Sequence, residues 1–394
     1  MPGVLEGIRV LDFGRYIAGP FCATLLSDMG AEVIRIERVK GSEDRYLLPV
    51  NEEGVGAGFL QLARNKKSVT LNPLKPEGRE VVKKLVATAD VVVANLPLPT
   101  LKEMGIDYDS LRAIKPDIIL TMVSAFGIDG PYSERVGFDL LGQAMSGGMH
   151  ISGEDGEPRR TQVPYVDFGT ALYAAFGTMG ALMERGKTGQ GQLVEASLFS
   201  TSLSFTNGVL IEEALRNVGR EGLGNRGYAS APNDVFRTKD GWIVSMVVGR
   251  PIYERWATLM GEPEWMEDER FETDILRGDN SHLISERMNK WCRERTTEQA
   301  LEELETARIP AGPVYKPEQT LKDPHVAARK LLKMMEYPGV DQPAPVCDTA
   351  VRFSTMEAGI RHRAPMLGEH TEEILTQLGL NKEEIESLRQ ARAV

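Results

Sequence analysis

Along residues 7–37 the spacing of apolar positions changes period twice. GIRVLDFG (7–14) is a short, nearly continuous apolar run, the pattern of a strand buried on both faces. AGPFCATLLSDMG (18–30) then sets Phe21, Cys22, Leu25, Leu26 and Met29 at three- and four-residue spacing, with Pro20 suited to a first helical turn. AEVIRIE (31–37) returns to a strand. Strand, helix, strand in so short a span predicts a parallel, right-handed βαβ unit. The scheme repeats in the strand KSVTLN (67–72), the amphipathic helix PEGREVVKKLVATAD (76–90) and the strand VVVANL (91–96). A helical YDSLRAIKP (108–116) and a further strand in DIILTMVSAFG (117–127) extend it. The first half is therefore expected to be α/β, an open and mostly parallel sheet.

VPYVDFGTALYAAFG (163–177) opens another helix, because Phe168, Leu172, Ala175, Phe176, Met179, Leu182 and Met183 share one face. Asp167 stands near its start, and two readings are open: an N-cap for the free N–H groups, or a nucleophile or base in a dry pocket. A glycine-punctuated turn into a strand (184–198) and a helix (197–215) follow. The character changes near Arg226. NDVFRTKDGWIVSMVVG (233–249) alternates about an Asp-Gly turn as a β-hairpin does, and helices are predicted over 251–261 and within 281–309, giving a second, smaller α/β domain. The proline-rich segment 309–324 reads as a crossing segment, and a helix is predicted within 383–394.

Composition narrows the function more than the fold. With 57 acidic against 46 basic residues the 394-residue chain carries a formal charge of −11, which disfavours a nucleic-acid or anionic-membrane surface. Cys22, Cys292 and Cys347 are far apart and odd in number, suggesting no disulfide framework, and with no leader-like or membrane-length apolar segment a cytoplasmic protein is expected. The five histidines form no metal-ligand grouping, and there is no G-x-S-x-G elbow, so a carboxylate is the best reactive group and no metal is expected.

Parallel sheets bind ligands at the carboxyl ends of their strands, which directs attention to the loops after Phe13, Glu37, Asn95 and Ala125. Glu37 would suit a ribose hydroxyl, but the first turn, GRYIAGP, lacks the G-x-G-x-x-G that a dinucleotide needs. Arg38, Lys40 and the RNKK at 64–67 are phosphate-binding residue types at loop positions, or else solvated basic turns. An adenosine ligand with additional phosphates fits better, and coenzyme A is the common example.

Taken in order, these segments resemble the class III CoA-transferases over nearly the whole chain. The resemblance is carried by LEGIRVLDFGRYIAGPFCATLLSDMGAEVIRIERVKG, RNKKSVTLN with PEGREVVKKL, VVVANL, SAFGIDGPYSERVGFD and PYVDFGTALYAAFGTMGALMERGKTGQGQLVEASL. VFRTKDGWIVSM, IPAGPVYKPEQTLKDPHV and APMLGEHTEEIL complete it. It implies a Rossmann-like large domain built from both ends of the chain (1–200 and, after a return linker, 321–394), a linker at 201–225, a small domain at 226–320, and two protomers interlocked as rings. It also implies that Asp167 is the nucleophile, exchanging CoA between acyl-CoA and free carboxylic acid through mixed anhydrides and an aspartyl-CoA thioester. CoA thioesters would be substrates, with no permanently bound cofactor. Carried over by position, Arg38, Asn95 and Leu96 are expected to contact CoA, Lys66 and Lys67 more weakly, and Tyr16, Ile17 and Ala18 to line the turn near the thioester.

Several positions depart from relatives within the superfamily. The racemase branch, the first alternative function, places a histidine in a G-H-D segment where this chain has Gly137-Phe138-Asp139, and phenylalanine cannot exchange a proton. Formyl-CoA transferases carry a glutamine where Ile17 stands, and a glycine run where this chain has MVVGRPIYERW. NLPLPTLKEMG lacks, after the asparagine, an arginine and glycine found in many members, so either Lys102 is the substitute phosphate contact or the contact is missing. Asp139 is expected either to orient the acceptor or to cap a helix beginning at Leu140, and His150 is a structural or catalytic histidine. A CoA-binding protein without turnover is the remaining alternative.

Overall fold

The computed structural model describes residues 3–52 and 54–394. The elements alternate as expected: β1 (Arg9–Asp12), α1 (Ala18–Asp28), β2 (Glu32–Glu37), α2 (Ala57–Leu62), β3 (Lys66–Thr70), α3 (Pro76–Thr88) and β4 (Val91–Ala94). Then come α4 (Leu98–Met104), α5 (Tyr108–Ile114), β5 (Ile119–Ser124), α6 (Asp139–Met145), α7 (Gly148–Ile151), α8 (Tyr165–Thr188), β6 (Leu193–Ser197) and α9 (Leu198–Arg216). The six strands make one sheet in the order β3-β2-β1-β4-β5-β6, every neighbouring pair parallel.

Alternation along the strands sends successive side chains to opposite faces, so each face has its own core. Leu11, Ile34, Val92 and Leu120 pack with Val82 and Leu85 of α3 and Leu101 of α4. Their strand neighbours Val10, Val33, Val93 and Ile119 pack on the other face with Cys22 and Leu26 of α1 and Ala171 and Ala174 of α8. Both faces are covered, which is why the strands read as apolar runs.

The chain divides into two compact units, one holding the chain up to Ser146, Thr161–Ile211 and Ala327–Val394, the other Gly147–Arg160 and Glu212–Val326. Residues 147–160, expected in the large domain, pack with the second unit, where the Tyr228 hydroxyl donates to the carbonyl of Ile151 at 3.1 Å. The 201–225 stretch is helix as far as Arg216. In the second unit β7 (Asn233–Arg237) and β8 (Trp242–Met246) form the expected hairpin, joined by β9 (Ala311–Pro313). Helices α10 (Arg250–Met260), α11 (Asp274–Asp279), α12 (Ser281–Arg293) and α13 (Thr297–Thr306) supply a core with Tyr253, Trp256, Met288 and Leu304. The C-terminal stretch returns to the first unit: Ile374, Leu375, Ile385 and Val394 complete the core beside α3, and the Asn72 N–H bonds the carbonyl of Ala393.

Candidate active site

The strand order reverses direction between β1 and β4, and a parallel sheet opens a ligand crevice where the connections leave such a point in opposite directions. The loop after β1, Phe13–Ile17, and Asn95 after β4 stand there. Asn95 ties the two together: its Oδ1 accepts the Arg15 N–H at 2.7 Å, and its Nδ2 donates to the Arg15 carbonyl at 2.8 Å. Gly14 permits the sharp turn, since a Cβ there would lie 2.7 Å from Pro20 Cδ and 2.8 Å from Asp12 Oδ1. Tyr16 is left-handed at φ 60°, a conformation costly for a non-glycine residue, and its N–H is held by Asp44 Oδ2 at 3.1 Å.

Beneath this loop lies a buried ionic network. Arg35 pairs with Asp44 at 2.6 Å, Glu37 at 3.5 Å and Asp12 at 3.6 Å, while Arg45 pairs with Glu37 at 2.6 Å and Lys66 with Asp12 at 2.8 Å. Burial alone would raise the Glu37 carboxyl; the Arg45 and Arg35 guanidiniums outweigh it and hold it at about 2. Asp12 is likewise buried yet held low by Lys66 and Arg35. Glu37 therefore anchors the network, with the Ser68 hydroxyl donating to it at 2.6 Å.

Lys66 and Lys67 need correction as phosphate contacts. The RNKK segment is not a loop at the binding end of the sheet: β3 begins at Lys66, so the backbone of both lysines stands at the amino end of their strand. Lys66 is enclosed, donating to Asp12 and, at 2.6 Å, to the Pro20 carbonyl. Lys67 pairs with Glu32 at 3.0 Å and Glu373 at 2.7 Å. Arg38 does lie beyond the carboxyl end of β2, exposed and paired with exposed Glu43. Lys40 is exposed in the same turn, Lys102 is exposed on α4, Leu96 packs against the core beside α3, Ile17 is half-buried and Ala18 is buried as the first residue of α1.

Asp167 is the third residue of α8, and it is not the cap. The helix starts after Pro164, and the cap comes from elsewhere: buried Asp139 accepts the Val166 N–H at 2.8 Å and the Asp167 N–H at 3.1 Å through Oδ2. Asp139 is the first residue of α6 and caps α8 rather than its own helix. The Asp167 carboxylate is half-buried and accepts no hydrogen bond from any described residue. Burial, and then the Asp139 charge, raise it from an ordinary 3.8 to about 7.

Aromatic contacts join this turn to the crevice. The Tyr16 ring meets Phe138, the residue before Asp139, edge-on at 5.6 Å, and Phe21 of α1 meets Phe168 edge-on at 5.0 Å. Gly142 of α6 allows close approach, because a Cβ there would stand 2.7 Å from Val166 Cγ1. Within the first unit the structure thus brings together Tyr16, Ile17, Asn95, Phe138, Asp139 and Asp167. His150 lies on α7 in the second unit, exposed, with Nε2 3.1 Å from the Arg220 carbonyl and 3.5 Å from the Glu221 carboxylate. Sequence reasoning missed Asp12, Arg35, Asp44, Phe138 and Gln143 as parts of this architecture. A signal existed for two of them: a charge in the middle of a strand buried on both faces, as in VLDF and VIRIE, requires a partner.

A sequence model for CoA-transferase family III matches residues 5–371. The chain belongs to that family. It is 34% identical, over 100% of its length and 98% of the relative's, to the succinyl-CoA–D-citramalate CoA-transferase of Chloroflexus aurantiacus. It is 32% identical to the human succinyl-CoA:glutarate CoA-transferase, covering 95% of this chain and 86% of that one. Among solved structures, a CaiB/BaiF family protein from Brucella suis superposes with a TM-score of 0.84 at 32% identity, covering 96% of this chain and 100% of that one. The protein is accordingly an enzyme of the CoA-transferase class, passing CoA from a thioester to a free carboxylic acid. Phe138 stands at the G-x-D position of this family III member. Among the described residues no helix is long and apolar enough to cross a membrane.

Proposed function

We propose that Asp167 is the nucleophile of this transferase, that succinyl-CoA or a close analogue is the donor, and that the acceptor is a small dicarboxylic acid. The observation carrying the reading is the Asp167 carboxylate: unpaired by any described residue, half-buried, and linked through Asp139 and the Phe138–Tyr16 contact to the crevice at the sheet's reversal point. The named relatives act on succinyl-CoA with citramalate or glutarate, and this supports the substrate class.

The Asp167 oxygen attacks the thioester carbonyl, the C–S bond breaks, and CoA thiolate leaves behind a mixed anhydride. The thiolate then attacks the aspartyl carbonyl, releasing the donor's carboxylate and forming aspartyl-CoA thioester. The acceptor carboxylate attacks that thioester, the C–S bond breaks, and the thiolate leaves behind a second anhydride between Asp167 and the acceptor. Thiolate attack on the acceptor's acyl carbon yields the new thioester and restores Asp167. No proton is consumed overall, so the site needs no general acid. It needs exclusion of water, to which the Phe21, Phe138 and Phe168 rings contribute. Tyr16, Ile17, Ala18, Asn95 and Leu96 would line the thioester end of CoA, with Arg38 and Lys102 near its phosphates.

A homodimer belongs to the same proposal. α8 exposes Leu172, Phe176 and Met183, and α9 exposes Phe205 and Leu215, apolar surface that a second copy would cover. A cytoplasmic setting is supported by the three free cysteines. The decisive experiment incubates the enzyme with succinyl-CoA, quenches with hydroxylamine and maps the modified peptide. A hydroxamate on Asp167, with transfer to glutarate reduced about a thousandfold or more in Asp167→Asn, is expected. An unmodified Asp167 peptide in an active enzyme would refute the reading.

A further inference from the structure

The buried carboxylate of Asp139 engages three segments at once. Oδ2 accepts the Val166 and Asp167 N–H groups at the start of α8. The amide of Gln143, one turn on in α6 and also buried, donates to Oδ1. Gln143 in turn accepts the Thr161 N–H at 3.0 Å through Oε1, fixing the extended stretch that leads into α8. Thr161, α6 and the first turn of α8 are therefore held by one acid. Every one of these donors is neutral.

Resting on the nucleophile reading above, we infer that Asp139 is a positioning residue for Asp167: it fixes the backbone from which the nucleophile projects and sets a second negative charge beside it. Other groups facing this turn are Phe21 from α1, Thr201 and Phe205 from α9 and Tyr165 of α8 itself, while β5 and β6 meet α8 further along through Thr121 and Val194. Asp139 is the one carboxylic acid among them. Its repulsion acts on the free Asp167 carboxylate but not on the neutral anhydride or aspartyl-CoA thioester, so it favours leaving the resting state. It also supports the raised Asp167 ionisation, second only to burial as its cause. A cap with a neutral side chain would hold the helix equally well and do neither.

The test compares wild type, Asp139→Asn and Asp139→Glu in transfer from succinyl-CoA to glutarate across pH, with hydroxylamine mapping of Asp167 in each. Asparagine keeps the acceptor oxygen and removes the charge: the acid limb of kcat/KM is expected to fall by roughly one pH unit or more, with less aspartyl-CoA accumulated. Glutamate keeps the charge on a longer arm: kcat is expected to fall about tenfold, KM to change little and the acid limb to stay. An unmoved limb in Asp139→Asn, or an Asp139→Glu enzyme equal to wild type, overturns the inference. If Asp139→Asn does not fold, Asp139→Glu decides alone by its kcat and limb. Failure to trap Asp167 in wild type refutes the nucleophile reading instead, a separately visible result.

Discussion

Two carboxylates within one helical turn's reach make Asp167 costly to ionise, and that cost has a direction. Its folded pKa of about 7 lies above the ordinary 3.8 expected of the unfolded chain. Stability from the neutral form is thus full below about pH 4 and declines from there as pH rises towards 7, beyond which the loss is complete. Asp167→Asn should therefore raise the melting temperature by several degrees at pH 8, the gain shrinking steadily as pH falls to 4. A gain independent of pH in calorimetry would contradict this account. Lys66 gives the opposite case. Lys66→Met would leave Asp12 buried with Arg35, at 3.6 Å, as its one charged partner among the described residues, for a loss of up to about 3 kcal/mol in urea unfolding. Transfer activity per folded molecule should survive better than stability does, because Lys66 is enclosed against Asp12 and the Pro20 carbonyl.

At the level of elements, α6 and α8 meet over Gly142, and their closeness sets how Asp139 reaches Val166 and Asp167. Gly142→Ala places a methyl 2.7 Å from Val166 Cγ1, and the helices must separate. A stability loss of about 1–3 kcal/mol is expected, with kcat falling more than KM rises; equal and unaltered kinetics would show that the capping distance is unimportant. Much of this level was legible in the sequence. The βαβ alternation could be read because each strand carries apolar residues for both faces and each helix for one. The start of α8 was legible too, but its cap was not: the acceptor comes from Asp139, far back along the chain, and the neighbouring Asp167 offered a local candidate with the right chemistry. Lys66 and Lys67 were misplaced for a related reason. A basic run looks like a phosphate site even where, as here, the predicted strand starts within it, and nothing local shows that the Lys66 side chain turns under α1 toward Asp12 and the Pro20 carbonyl. The long-range pairing of charges is what sequence periodicity does not encode.

Across the whole molecule, the uncovered apolar surface of α8 and α9 is the main unresolved demand of the fold. Phe176 is 79% exposed, a high value for a phenylalanine on a helix whose other face lies in the core. Wild type should sediment at twice the 43.5 kDa chain mass, and Phe176→Glu should shift the population towards monomer and lower the melting temperature. A monomeric, fully active wild type would count against a second copy as the covering partner. The return of Ile374, Leu375, Ile385 and Val394 to the core beside α3 bears on biosynthesis. On the ribosome the second unit emerges whole while the first still lacks part of its wall, and at about 5–20 residues per second the gap lasts several seconds. During that interval β1 to β6 can pair but one sheet face stays open, so the nascent enzyme is a natural client for chaperones, and its catalytic crevice is among the last features to become rigid.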